Sequence, residues 1–411
     1  MKKIALISLI SSSVLMAGGY KIPENSTNAV ALSAANVAHN HNSADTAYYN
    51  PAKMIFMSNL NHIETNLIYI GLNKAKYKGD VSFNTRALGT HDLKSEKENF
   101  IVPSLHYVSS VQGTNGVRVG VSIVSPGGLS KRWKKSVASM GAEEFSMQTV
   151  ELNPTLAFEV SKTLGIAFGF RAVHSSGIAK ATPANNAVYQ DMEGDSLDFG
   201  YNLALAYQPT QNIEMGMTYR SKISLSLDGD ADLKYTDSNT GIVALDGNYD
   251  GSVTLPLPAS FNLAVAYTLP TKTTVEFVYE KTMWSAYNKL NFEYTNPTAE
   301  AVFGREKEKN WHDSSSYRLG ITQELDTLTL MGGLVIDESP IPEKTLGFEL
   351  PGSDSIAYSL GVRYKIEDNL DIALSGLYSV HEKRDVDNDS LNGEFSGSNV
   401  LFVSMGLGYR F

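Results

Sequence analysis

With 411 residues, 42% of them hydrophobic and 19% charged, the chain is not disordered, and its mean hydropathy of -0.16 excludes a bundle of membrane helices. A net charge of -10 argues against nucleic acid as a partner, because phosphate binding needs a basic surface. The absence of cysteine rules out disulfides, thiolate metal sites and a cysteine nucleophile. The 21 Tyr, 16 Phe and 33 Gly are high for a water-soluble fold and ordinary for a barrel with aromatic girdles.

The first residues read as a leader. Lys2 and Lys3 are basic, an apolar run broken by serines extends from Ile4 to Met16, and Ala17-Gly18-Gly19 offers small residues for cleavage. The run falls short of the ~20 apolar residues that a spanning helix needs, so residues 1–17 are expected to be a signal peptide rather than an anchor. Residues 18–57 show no strand alternation, are rich in Asn, Ala and Ser, and suit short helical turns. They end near Tyr49-Asn50-Pro51-Ala52, where Pro51 forces Asn50 into an extended or turn conformation. Within them, His39-Asn40-His41 reads as a solvated polar turn rather than as metal ligands with Asp45. No phosphate loop, zinc spacing or dinucleotide signature is present.

From residue 59 onward the pattern has period two. Tyr201, Leu203, Leu205 and Tyr207 alternate with Asn202, Ala204, Ala206 and Gln208. Ile213, Met215, Met217 and Tyr219 alternate with Glu214, Gly216, Thr218 and Arg220; Phe261, Leu263, Val265 and Tyr267 repeat the scheme. At the C-terminus Leu401, Val403, Met405, Leu407, Tyr409 and Phe411 share one face. Such strands bury the apolar face in a sandwich or turn it to lipid in a barrel. Connection lengths decide between the two. Tight turns at 111–116, 160–165, 209–212, 269–272, 324–327 and 366–369 alternate with long polar loops at 79–98, 125–145, 181–196, 229–251, 294–314, 337–353 and 380–396. Short periplasmic turns and long external loops are the outer-membrane pattern. The fold class is therefore all-β, a transmembrane antiparallel barrel of about fourteen strands over residues 58–411, with both ends on the periplasmic side.

Four segments carry a resemblance to a known family: Gly19-Tyr20-Lys21-Ile22-Pro23-Glu24-Asn25-Ser26, Ala44-Asp45-Thr46-Ala47-Tyr48-Tyr49-Asn50-Pro51-Ala52, Leu255-Pro256-Leu257-Pro258-Ala259-Ser260-Phe261, and Asp337-Glu338-Ser339-Pro340-Ile341-Pro342 followed by Leu350-Pro351. In order and spacing they resemble the FadL-type outer-membrane transporters, over essentially the whole mature chain. The resemblance implies a fourteen-stranded barrel with residues 18–57 as a lumenal plug, and uptake of long-chain fatty acids or, in some members, aromatic hydrocarbons. It also implies a monomer in the outer membrane of a Gram-negative bacterium, no cofactor, a gate near Asn50, Pro51 and Ala52, and sideways release through a gap beside a kinked strand. Loop 125–145 corresponds to a capture loop and is shorter than in better-known members.

That reading nominates residues. A hydrophobic ligand gains about 0.8 kcal/mol per buried methylene, which calls for a dry, apolar lumen. Val30, Leu32, Val37 and Met54 either line it or pack against the wall. Arg118, Arg171 and Arg220 fall on the inward register, where they could grip a carboxylate or pair with Glu214, Glu276 or Glu280. Pro126-Gly127-Gly128 ends the third strand and could open the wall. Leu129 and Trp133, beside Lys131, Arg132, Lys134 and Lys135, suit an amphipathic anion or the outer-leaflet surface. Two rivals remain: a general porin or adhesin, and a phospholipase-like enzyme using His174 and Ser176 on the outer face, for which no third orienting group can be assigned.

Overall fold

The alternating segments of residues 59–411 wind into a wall that closes on itself. The computed structural model describes residues 18–39, 41–83, 86–111, 116–182, 188–237 and 240–411. The expected leader lies outside them, as do most of the turn at 111–116 and the centres of loops 79–98, 181–196 and 229–251. Fourteen antiparallel strands form the barrel. They are β1 (His62–Leu72), β2 (Glu98–Val108), β3 (Val117–Val124, resuming as Gly128–Arg132), β4 (Glu144–Ser161), β5 (Leu164–Ala181) and β6 (Val188–Tyr207). Then come β7 (Ile213–Arg220, resuming as Ile223–Thr236), β8 (Val243–Leu257, resuming as Ser260–Thr268) and β9 (Thr273–Thr282, with Phe292–Tyr294 above it). The last five are β10 (Ser314–Glu324), β11 (Leu328–Asp337), β12 (Ser355–Glu367), β13 (Leu370–His381) and β14 (Val400–Arg410). Pairing of β14 with β1, from His62 opposite Arg410 to Leu72 opposite Val400, completes the ring. Closure matters because an unpaired backbone group in hydrocarbon costs several kcal/mol.

The outward residues of the lower wall are the apolar ones read from the sequence. On β14, Leu401, Val403, Met405, Leu407 and Tyr409 are exposed while Phe402 and Ser404 are buried. β4, β5 and β6 run for 18, 18 and 20 residues, well beyond the ~9–11 that cross a bilayer. The barrel therefore rises above the membrane, and its polarity inverts there. In the lower part of β7, Met215 and Met217 face lipid; above the break Leu225, Leu227, Ala231 and Leu233 face inward, and Asp228, Asp230 and Asp232 face water. β8 changes face in the same way between Leu255 and Leu263, and β3 between Ile123 and Leu129. Each break shifts which odd-numbered residues point inward.

This inversion corrects three expectations. Much of the presumed loops at 181–196 and 229–251 is strand, because the sheet continues above the membrane with polar side chains outside. Loops 79–98 and 380–396 build a four-stranded sheet from Lys76–Phe83, Arg86–Lys94, Leu391–Ser396 and Arg384–Asp387. Pro126-Gly127-Gly128 does not end the third strand; β3 breaks there and resumes.

Residues 18–57 fold as short helices, Thr27–Ala31, Thr46–Tyr49 and the 3₁₀ turn Pro51–Phe56, against the inward faces of many strands. Glycines in the wall permit the approach. A Cβ on Gly333 would lie 2.3 Å from the carbonyl carbon of Leu32, and one on Gly216 2.6 Å from the carbonyl oxygen of Val37.

Candidate functional site

Polar contacts tie the N-terminal segment to the wall at several points. Glu276 of β9 accepts the backbone N–H groups of Val37 (2.6 Å), Ala38 (2.6 Å) and His39 (3.0 Å). Glu214 takes Lys53 and His39 Nδ1, so His39 is not in the solvated turn expected of it: its ring is largely buried against a wall carboxylate. Arg118 donates to the carbonyl oxygens of Met54, Ser58 and Leu60. Asn50 donates to Val37 O at 2.9 Å and Leu205 O at 3.2 Å and accepts from Ala52 N–H, so Asn50, Pro51 and Ala52 are buried against β6.

The three inward arginines do not meet the acids expected of them. Arg171 binds Glu151 through Nε and Nη2, at 3.1 and 2.9 Å to Oε2, and Arg220 pairs with the same carboxylate while lying 4.3 Å over the Tyr48 ring. Glu214 and Glu276 serve the N-terminal segment instead, and Glu280 pairs with Lys21 (2.7 Å) and Arg318. Removing one partner of such a buried pair leaves an uncompensated charge, so these arginines are committed to structure. Cross-barrel partners depend on strand stagger, which the order of residues does not display.

An arm of residues 19–25 crosses the interior. Tyr20 sits in a box of Trp284, Tyr287 and Trp311, with ring centroids 4.6, 6.2 and 5.9 Å away. Lys21 forms a β-bridge with Gly127, flanked by bonds from Ile22 N–H to Pro126 O (3.0 Å) and from Gly128 N–H to Tyr20 O (2.8 Å). The arm thus pairs with β3 where β3 leaves its own neighbour. Among the described residues, the β2–β3 ladder runs from Leu105 opposite Ile123 to Val108 opposite Gly120, with Ser109 N–H bonded to Val119 O at its lower end. Above that, among the described strands, the upper half of β2 ladders with β1 and Gly128–Arg132 with β4, with no ladder between β2 and β3. A bond from Glu96 N–H to Arg132 O (2.8 Å) bounds this interval above.

The inner mouth of the interval is apolar. Phe100 and Val102 of β2 join Ile68, Ile70, Leu72, Leu377, Val400 and Phe402 in one buried cluster with Ile22 and Val30 of the N-terminal segment. Of the nominated residues, Val30 belongs here. Leu32 and Val37 pack with Ala264, Ala266 and Met331, and Met54 with Ala157 and Ala167, so those three are wall contacts. Leu129 and Trp133 are fully buried in the upper core, not displayed on a surface loop; only Lys134 and Lys135 of that stretch are exposed.

Outside, a groove of about 560 Å³ opens between Phe145, Leu290, Phe292 and Phe303, with Lys180 and Arg305 at its edge. Its size falls within the range of ligand sites. Sequence reasoning missed this groove, the Tyr20 box and Glu151. The groove is assembled from six separate connections, and only the inward register of Glu151, shared with Thr149 and Asn153, could have flagged that residue. His174 is exposed and its Nδ1 lies 2.8 Å from the Ser196 carbonyl oxygen.

The comparisons agree with this architecture. The chain is 23% identical over 317 residues to the long-chain fatty acid transport protein of Escherichia coli O6:H1, covering 69% of this chain and 70% of that one. It is 24% identical over 431 residues to outer membrane protein P1 of Haemophilus influenzae, covering 92% and 90%. Among solved structures, a Pseudomonas aeruginosa FadL homologue superposes with a TM-score of 0.84 at 18% identity over 95% of this chain and 99% of that one. The Pseudomonas putida toluene transporter TodX gives 0.70 at 16% over 94% and 98%. The family described as outer membrane protein transport protein (OMPP1/FadL/TodX) matches residues 7–411, so this outer-membrane barrel of a Gram-negative bacterium belongs to that family of transporters, not to one of enzymes.

Proposed function

We propose that the protein passes long-chain fatty acids through the outer membrane by diffusion, with residues 18–57 as a plug that keeps the barrel from being an open pore. Residues 1–17 act as the export leader, and the barrel works as a monomer embedded in outer-membrane lipid. The external groove takes the ligand first, and the apolar upper core leads it inward. Release is sideways at Pro126, Gly127 and Gly128, with Asn50, Pro51 and Ala52 tying the lower plug to the wall. The observation that carries this reading is the unpaired interval between β2 and β3, lined by Phe100 and Val102 and spanned from inside by the arm of residues 19–25. A water-filled porin has no use for an apolar lining of this kind. The curated relatives named for fatty acid transport support the choice of ligand. Uptake of a monoaromatic hydrocarbon is the second reading, favoured by the aromatic box around Tyr20 and by the fold shared with a toluene transporter.

Mass spectrometry of lipid extracted from the purified protein tests the proposal. A co-purifying alkyl-chain acid is expected. An empty protein that conducts ions as an open channel would instead make it a porin.

A further inference from the structure

We infer that Lys131 is the residue that selects an acid, holding the carboxylate of an anionic amphiphile at the upper rim of the interval between β2 and β3. The inference rests on the carrier reading and narrows its ligand to acids over neutral hydrocarbons. Lys131 lies on the resumed half of β3, on the inward face with Leu129, and is 1% exposed. Its ammonium makes no hydrogen bond or ion pair among the described residues, although a buried ammonium normally requires one. Glu98, the carboxylate whose charge reaches Lys131, bonds Ser130 and Arg132 through Oε2 and leaves Oε1 without a partner among the described residues, and Arg132 is further held by Glu144 at 2.6 Å. Glu98 acts on Lys131 only through its field.

A second polar group converges on the same place. His381, at the top of β13, is 8% exposed, feels the charge of Lys131, and has an Nδ1 without a partner among the described residues. Register links the two places: Glu98, bonded by Ser130 and Arg132 on either side of Lys131, lies opposite Leu72, Leu72 opposite Val400, and Val400 opposite Ser379, two residues before His381. Directly below are Leu72, Ile70, Phe100, Phe402 and Leu377 of the apolar cluster. From Leu72 to Ile68 that lining runs roughly 13 Å down the wall. A cation and an imidazole above a strip of aliphatic and aromatic side chains match a carboxylate head above an alkyl tail. An ammonium offers three donors and no acceptor, so an acid satisfies it with charge-assisted bonds and a neutral hydrocarbon leaves it unmet.

The test measures binding of radiolabelled palmitate and of methyl palmitate to the purified full chain in detergent, for the natural sequence, Lys131→Met and Lys131→Arg. Folding of each variant is checked by heat-modifiable migration. The natural sequence is expected to prefer the acid by tenfold or more; Lys131→Met brings that ratio towards one by weakening the acid alone, and Lys131→Arg keeps it. Equal binding of acid and ester by the natural protein, or a Lys131→Met variant that retains the preference or loses both ligands alike, overturns the assignment and leaves the carrier reading standing. Failure of the natural protein to bind either compound overturns the carrier reading and the assignment with it.

Discussion

Glu276 shows how one side chain can fix a mobile-looking stretch of chain. Its two oxygens satisfy three consecutive backbone N–H groups, those of Val37, Ala38 and His39, in a segment with no sheet to satisfy them. A buried N–H left without its acceptor costs about 1–3 kcal/mol, and three would be left at once. Replacing Glu276 with Ala is therefore predicted to cost the docked segment about 3 kcal/mol or more. The wall itself is held by unrelated ladders and should persist. Planar-bilayer conductance is the check: the variant should open to ions intermittently, and a current as low as that of the natural protein would show that Glu276 is not the clamp.

At the scale of elements, small residues decide what can touch what. The close approach of residues 31–35 to β11 and β12 needs Gly333, where a Cβ would meet the Leu32 backbone at 2.3 Å, and Gly361, where it would meet the Ala31 Cβ at 2.4 Å. Backbone cannot yield as a flexible side chain can, so Gly333→Val is predicted to push the N-terminal segment off the wall while the barrel still forms. Limited proteolysis should then cut within residues 18–57 at least tenfold faster with heat-modifiable migration unchanged; unchanged cleavage would mean the contact is not limiting. The same scale shows what the order of residues could reveal. The lower part of β6 from Tyr201 to Tyr207, β12 and β14 were legible because lipid on one side and a polar interior on the other enforce a strict alternation. The upper parts of β7 and β8 were hidden because above the membrane water replaces lipid and the alternation changes hands, so Asp228, Asp230 and Asp232 resemble loop composition. Pro126 and Gly127 marked a break, but not that β3 resumes with Leu129 and Lys131 turned inward. The partners of Arg171 and Arg220 stayed out of reach because Glu151 is 20 and 69 residues away along the chain.

For the whole molecule, the arm of residues 19–25 is the part that links one wall to the other. It pairs with β3 at Gly127, reaches Glu280 of β9 through Lys21, and fills the aromatic box with Tyr20. Near its far end lies Glu24, 1% exposed, neither carboxyl oxygen having a hydrogen-bond partner among the described residues. Burial pushes its carboxyl up from 4.5 to about 7; Arg318 opposes this, and Asp337 and Glu280 reinforce it. A raised acid means that the docked arm holds a proton that the released arm gives up. Docking is therefore strongest below about pH 4.5, weakens as pH rises from 4.5 towards 7, and changes no further above that. Trp284 and Trp311, shielded by Tyr20, report the change. Acrylamide quenching of tryptophan fluorescence should rise between pH 5 and pH 7 in the natural protein and stay flat in Glu24→Gln, which keeps the neutral, docked form throughout. A profile that rises equally in both would assign the pH response to some other group and leave Glu24 a passive part of the packing.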